Sequence, residues 1–313
     1  MAVPSQSLGR TASSPATCVA SPGRQEGAFA PYREGMRPTH RPVEDGVATD
    51  LAGESTYGSY LRLDLLLAAQ QPVTDHHDEM LFVVQHQVTE LWLKQLVHEL
   101  RSAIALVDAD QLAPALKRLA RVKAVQRQMF EQWGVLETLT PVEYLQFRDA
   151  LGRASGFQSA QYRTVEFLLG NKNPAMVKVF DHDPVTRDQL AADLAAPSLY
   201  DTVLAYLSRH GHAVPREVLD RDLTQPYVPH ADVVEVFRRV YAEPETHWEV
   251  YETCEELVDV EEGFHLWRFR HLKTVQRIIG HKRGTGGSSG TTFLQRALEL
   301  TFFPELQDVR TAL

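Results

Sequence analysis

Cysteine is almost missing from this chain of 313 residues: Cys18 and Cys254 are the only two, and no CxxC or CxxCH occurs. That excludes a disulfide framework and points to a reducing, cytoplasmic setting. Cys254 sits in ETCEELV, where neighbouring carboxylates disfavour a thiolate, so it is read as structural. Positive charge is also scarce, with 32 Lys and Arg against 41 Asp and Glu and a net charge of −9. Such a balance argues against nucleic acid or an anionic membrane as the main partner. No uninterrupted apolar run approaches membrane-spanning length. No β-hairpin, βαβ unit or internal repeat can be found.

What remains is a helical chain of ordinary globular composition, 43% apolar and 23% charged. Residues 1–52 are rich in Ser, Pro, Ala, Gly and Arg, without periodicity and without the apolar middle of a secretory signal. They are expected to form a disordered tail. Residues 53–313 are expected to form a single all-helical domain. Long helices are predicted over 76–107, 111–133 and 244–280. Shorter ones are predicted over 141–151, 157–170, 184–195, 198–209, 230–242 and 291–302, with Pro and Gly at the joints. In the first, Leu81, Val84, Val88 and Leu91 recur at helical spacing. In the second, Leu112, Leu116, Leu119 and Val122 do so. The predicted fold is all-α, with long antiparallel helices able to hold a cofactor between them.

Several residue groups carry possible chemistry. Phe264, Trp267, His271, Val275 and Ile278 share one helix face. A histidine among such neighbours suits an axial haem ligand, although a hydrogen-bonded core histidine is the commoner role. Phe82 and His86 stack four apart and could grip a flat, weakly polar ligand, or simply pack. Tyr144 and Arg148 are also four apart, and the arginine fork suits a carboxylate, or solvent. GTGGSSG, Gly284 to Gly290, is either a linker or a loop that covers a ligand and presents N–H groups to an anion. A helix precedes it, which argues against a dinucleotide site. Glu262 and His265 form a lone ExxH, whereas a di-iron carboxylate bundle needs two.

Taken in order, YGSYLRLDLLLAAQ, HHDEMLFVVQHQVTELWLKQ, EYLQFRDALGRASGFQSAQYRTVEFLLGNKN and WRFRHLKTVQRIIGHKRGTGGSSGTTFL resemble the tryptophan 2,3-dioxygenase family, and the likeness runs from about Tyr57 to Leu313. The resemblance implies an all-helical homotetramer, a dimer of dimers, with one non-covalent haem b per subunit. Ferrous haem, dioxygen and L-tryptophan would give N-formyl-L-kynurenine, the first step of tryptophan catabolism by the kynurenine route. By motif, His271 would be the proximal haem ligand, with Trp133 and Ser155 near the haem. His86 would accept a hydrogen bond from the indole N–H, and Phe82 would pack on the indole ring. Arg148 would bind the substrate carboxylate, Tyr144 would line the same pocket, and Thr285 would contact the ammonium and carboxylate end. Tyr57, Tyr60 and Leu61 would reach into a neighbouring subunit's site. Because the indole N–H is a very weak acid, His86 is expected to position substrate rather than to serve as an obligatory base.

Two positions depart from the family's pattern. Gln307 stands where a Trp is common and Phe293 where a Tyr is, both expected to be packing changes away from the substrate. A related activity shares the same residues: monooxygenation of tryptophan or a 3-methyl-substituted tryptophan to a 2-oxindole. Relatives with haem held covalently by cysteine are disfavoured, since no cysteine lies near His271. A haem carrier without turnover would have no need for His86, Arg148 and Thr285 together.

Overall fold

The computed structural model describes residues 40–41 and 43–313. Most of the expected tail therefore lies outside the described residues. Every regular element among them is helical and no strand occurs, in line with the predicted all-α class. Chain contacts divide the protein into a unit ending at Tyr60 and one running from Leu61 to Leu313. In the first, Thr56 caps the short helix α1 (Tyr57–Leu61): Ser59 N–H donates to Thr56 Oγ1 at 3.2 Å, and Thr56 N–H donates to Ser59 Oγ at 2.9 Å.

The second unit begins with α2 (Leu63–Leu66) and the long helix α3 (Glu79–Asp108). The predicted start at residue 76 is three residues early, because Glu79 folds back to close the preceding loop. Its buried carboxylate accepts from Val73 N–H at 2.7 Å and Thr74 N–H at 2.8 Å. A three-residue link reverses the chain into α4 (Leu112–Glu131), which packs along α3. At its tip Asp110 has φ 57°, held by an Arg209 hydrogen bond of 2.8 Å. Next come α5 (Trp133–Leu136), α6 (Pro141–Phe147) and α7 (Ala160–Leu169). A reciprocal Thr140–Glu143 cap starts α6, and the chain tightens into a 3-10 turn at Arg148, so the predicted 141–151 helix is α-helical only to Phe147.

Four helices follow: α8 (Pro184–Ala195), α9 (Leu199–Arg209), α10 (Arg216–Leu219) and α11 (Ala231–Ala242). The third long helix, α12 (Trp248–Ile279), packs against α4. The helix predicted over 291–302 is in fact two, α13 (Thr291–Ala297) and α14 (Pro304–Ala312). Phe302 and Phe303 between them are buried, and Pro304 begins the new helix.

Of the apolar stripe predicted for α3, Leu81 packs against the core, whereas two members turn outward. Val84 and Leu91 are 39% and 47% exposed. The inward face there carries Phe82, Gln85, His86 and Thr89, which line a cavity, and only beyond it do Leu93, Leu96, Leu100, Ala103 and Val107 form a continuous buried seam. On α4 the buried face is Leu112, Ala115, Leu119, Val122, Val125 and Met129, with Leu116 only half-buried. Cys254 is fully buried, and burial, ahead of the nearby Glu255, pushes its thiol pKa well up. Among the described residues no helix is long and apolar enough to cross a membrane.

Candidate active site

Between α3, α5, α6, α12 and the loop before α13 lies a cavity of about 860 Å3, mostly apolar in lining. That is large enough for a cofactor-sized ligand. One wall is built on α12. Trp267, His271, Val275 and Ile278 line the cavity from the predicted helix face, and Phe264 anchors the same face in the core. The His271 ring lies parallel to Trp133 of α5, with ring centroids 4.8 Å apart and planes 9° apart. Trp267 packs on both, at 5.8 Å from His271 and 6.0 Å from Trp133. Burial, with a smaller push from His86, lowers the His271 pKa to about 4. The imidazole is therefore neutral at physiological pH. Among the described residues its ring makes no hydrogen bond, so it is not the satisfied core histidine that its spacing alone would suggest.

The opposite wall belongs to α3. His86 Nδ1 lies 2.7 Å from the Phe82 carbonyl oxygen, and the two rings are 4.1 Å apart. A carbonyl can only accept, so the proton sits on Nδ1 and the lone pair on Nε2. Burial lowers the His86 pKa and keeps the ring neutral, opposed by the Phe82 carbonyl and Glu90. Phe82 belongs to an aromatic cluster with Tyr144 at 5.8 Å and Phe147 at 5.7 Å. Burial raises the Tyr144 pKa, an effect partly offset by the Arg148 guanidinium beside its hydroxyl.

The glycine loop is docked, not free. Thr285 Oγ1 donates to the Ala154 carbonyl at 2.5 Å, and an Arg148 Nη2–H donates to the Arg283 carbonyl at 2.8 Å. A Cβ on Gly286 would come within 2.7 Å of the Ser155 side chain, and one on Gly290, at φ +65°, within 2.4 Å of the Lys282 carbonyl. Glycine at these two positions permits the close approach. The N–H groups of Gly284 and Gly287 are spent inside the loop, on Ser288 O and Gly284 O, so the open anion nest expected from sequence is partly closed. Ser155 also caps the following 3-10 turn, accepting from Phe157 N–H.

The structure thus brings Phe82, His86, Trp133, Tyr144, Ser155, His271 and Thr285 to one cavity. Arg148 borders it through the loop and is not part of its lining; its Nε is buried with no partner among the described residues. Tyr57 and Tyr60 are 78% and 79% exposed, and Leu61 is exposed too. Phe293 lines the cavity and packs edge-on against Phe157 at 5.5 Å, so it is nearer the site than expected. Gln307 is remote, bordering a separate groove on α12 with Glu262 and His265. Its amide donates to the buried Glu261 at 3.2 Å. Among the described residues no three His, Cys, Asp or Glu side chains converge as a metal cluster.

Sequence reading missed a buried charged edge of the cavity. Arg163 and Arg268 both pair with Glu166, the latter at 3.0 Å, and Arg268 Nε–H donates to the Tyr162 hydroxyl at 3.0 Å. The i,i+3 spacing of Arg163 and Glu166 is a local hint, but Arg268 lies about a hundred residues away and nothing local connects it. Haem fits these residues. Its iron takes a neutral imidazole, and His271 offers one in a largely apolar wall, while Arg163 and Arg268 line the same cavity as cations for its acidic side chains. The Trp133 and Trp267 indole N–H groups are buried with no partner among the described residues, as expected of a wall shaped for a further group.

Residues 42–194 and 235–313 match the family model described as Tryptophan 2,3-dioxygenase. Relatives bearing the name tryptophan 2,3-dioxygenase include one from Serratia proteamaculans, 59% identical over 273 residues, covering 87% of this chain and 98% of the relative. One from Myxococcus xanthus is 58% identical over 277 residues, covering 87% and 94%. One from Kineococcus radiotolerans is 60% identical over 273 residues, covering 87% and 96%.

The neutral His271 has a thermodynamic consequence. Its pKa is about 4 folded against 6.5 for an ordinary histidine. Between those values the unfolded chain binds a proton that the folded chain does not, so stability falls as pH drops from about 6.5 to about 4. His86, shifted the same way, adds to the effect. Denaturant melts of the haem-free protein across this range should show the decline, and His271→Leu should reduce it. An unchanged pH profile in that variant would contradict the assignment.

Proposed function

The chain belongs to the tryptophan 2,3-dioxygenase family, and on that premise we propose that it inserts both atoms of dioxygen across the indole 2,3-bond of L-tryptophan. The product is N-formyl-L-kynurenine, the opening step of tryptophan breakdown by the kynurenine route. The observation that carries this reading is the placement of two neutral histidines, His271 and His86, on facing walls of one cavity.

His271 would hold haem b, with Trp133 and Ser155 lining the same cavity, and the bound haem would supply ferrous iron for the activation of dioxygen. The chain's own residues then have distinct tasks. His86 offers its Nε2 lone pair to the indole N–H and so sets how the ring sits. Its Nδ1–H, tied to the Phe82 carbonyl at 2.7 Å, keeps that tautomer in place. Phe82 and Tyr144 supply the apolar wall against the indole. Arg148 moves from the Arg283 carbonyl, or uses its free Nε–H, to bind the substrate carboxylate. Thr285 meets the ammonium and carboxylate end, and its loop excludes water. His86 positions the substrate and is not required to remove a proton, since attack on the indole carbons needs no prior deprotonation.

The assembly is proposed to be a cytoplasmic homotetramer in which Tyr57, Tyr60 and Leu61 complete a neighbour's site. Supporting this, Leu61, Leu65, Leu67, Val84 and Leu91 are all more than a third exposed, an apolar surface that a lone subunit would leave in water. Oxindole formation is the less favoured alternative, since the relatives carry the dioxygenase name.

Reduced, haem-loaded protein incubated with L-tryptophan and air should give a product heavier by two oxygen atoms. Addition of one oxygen atom, read by mass spectrometry, would overturn dioxygenation in favour of the oxindole. Arg148→Ala should weaken tryptophan binding by about 2–5 kcal/mol, because it leaves a carboxylate in a poorly solvated site without its partner. An affinity within about twofold of wild type by titration would remove Arg148 from that role.

A further inference from the structure

The parallel stack of Trp133 on His271 joins two segments that are far apart in sequence, and one of them is fragile. Helix α5 has only four residues and cannot hold itself in place. Immediately after it, Glu137 reaches α12 on both sides of His271. Its Oε1 accepts from Arg270 Nε–H at 3.1 Å and from Thr274 Oγ1–H at 3.0 Å, and its Oε2 accepts from Arg270 Nη2–H at 3.1 Å. Arg270 precedes the histidine by one residue and Thr274 follows it by three. Thr274 is completely buried, and the Arg270 guanidinium also covers the Phe130 ring at 4.9 Å. The Arg270 hydrogen bond, opposed by burial and aided by Thr274, holds the Glu137 carboxyl below its usual range, so the clamp is charged at neutral pH.

We infer that Glu137, through Arg270 and Thr274, is a positioning residue that fixes the rotation of the His271 ring against Trp133 and so sets how that imidazole is presented to haem iron. The inference rests on the reading of His271 as the axial ligand. Among the described residues the ring has no hydrogen bond of its own to fix it, so its orientation comes from the stack, and the stack from the clamp. Groups that orient a metal's ligand without touching the metal commonly change affinity about 10–100-fold when removed.

Full-length Glu137→Ala, Thr274→Val and Thr274→Ser proteins, with His271→Gly as control, test this by two readouts besides turnover. One is the ferrous iron–histidine stretch by resonance Raman spectroscopy; the other is haem transfer to apomyoglobin. Glu137→Ala and Thr274→Val should shift or broaden the stretch and weaken haem retention about tenfold, with helical circular dichroism unchanged, while Thr274→Ser behaves as wild type. If Glu137→Ala does not fold, Thr274→Val, which loses a single hydrogen bond, decides the matter. A wild-type stretch and haem retention within about twofold in the folded variants would overturn the clamp. A stretch that survives in His271→Gly would instead overturn the axial assignment beneath it.

Discussion

The His271 ring lies flat against Trp133 in a largely apolar wall, and burial keeps it uncharged. An ionised imidazole there would need a counter-ion, and the rings packed against it are the indoles of Trp133 and Trp267. Much of the interior is arranged around this requirement. Helix α12 carries the ring and is braced along α4 by its buried Leu257, Val260 and Phe264. Helix α3 brings the second histidine to the facing wall and gives up the apolar character of its inner face to do so. Charged groups are kept to the edge of the cavity, where Glu166 is shared by two arginines.

A cavity closed on all sides would admit nothing, and the loop between α12 and α13 resolves that difficulty. It is tied to the rest of the site by two hydrogen bonds, from Thr285 to the Ala154 carbonyl and from Arg148 to the Arg283 carbonyl, and by the close approach of Gly286 to Ser155. In the proposed function either hydrogen bond is exchanged for one to an amino-acid head group, whose carboxylate replaces the carbonyl as the acceptor. Arg148 is suited to this exchange. It holds the loop and, in the proposed function, holds the substrate, so the loop's closure and the substrate's arrival draw on the same guanidinium.

How much of this could be read in the sequence differs by feature. The all-α class and the spans of α8, α9 and α11 follow from periodicity and from Pro, Ser and His at their starts. The break between α13 and α14 was not seen, because the buried Phe302–Phe303 pair keeps the stretch apolar while Pro304 resets the backbone. The α3 stripe misled for a physical reason. Hydrophobicity marks the inward face only where the interior is packed, and here the inward face meets a cavity, so Phe82, Gln85, His86 and Thr89 turn in while Val84 and Leu91 turn out. Spacing singles out His271, Phe82 with His86, Tyr144 with Arg148 and the glycine loop as candidates, but it cannot separate a ligand histidine from a core one; their roles, and the candidates Trp133, Ser155, Tyr57, Tyr60 and Leu61, come from the family resemblance. Trp133 and its stack on His271, Glu166 with Arg268, and Glu137 with Arg270 and Thr274 join residues more than a hundred positions apart. No local pattern records such contacts.

The account depends most on His271 being the group that holds iron from a dry, neutral wall. Replacing it with glycine leaves a space of imidazole size in an otherwise intact cavity. The ferrous His271→Gly protein should lose the iron–histidine stretch and most of its activity, and added free imidazole should restore both. A variant that keeps the stretch and full turnover without imidazole would contradict the account.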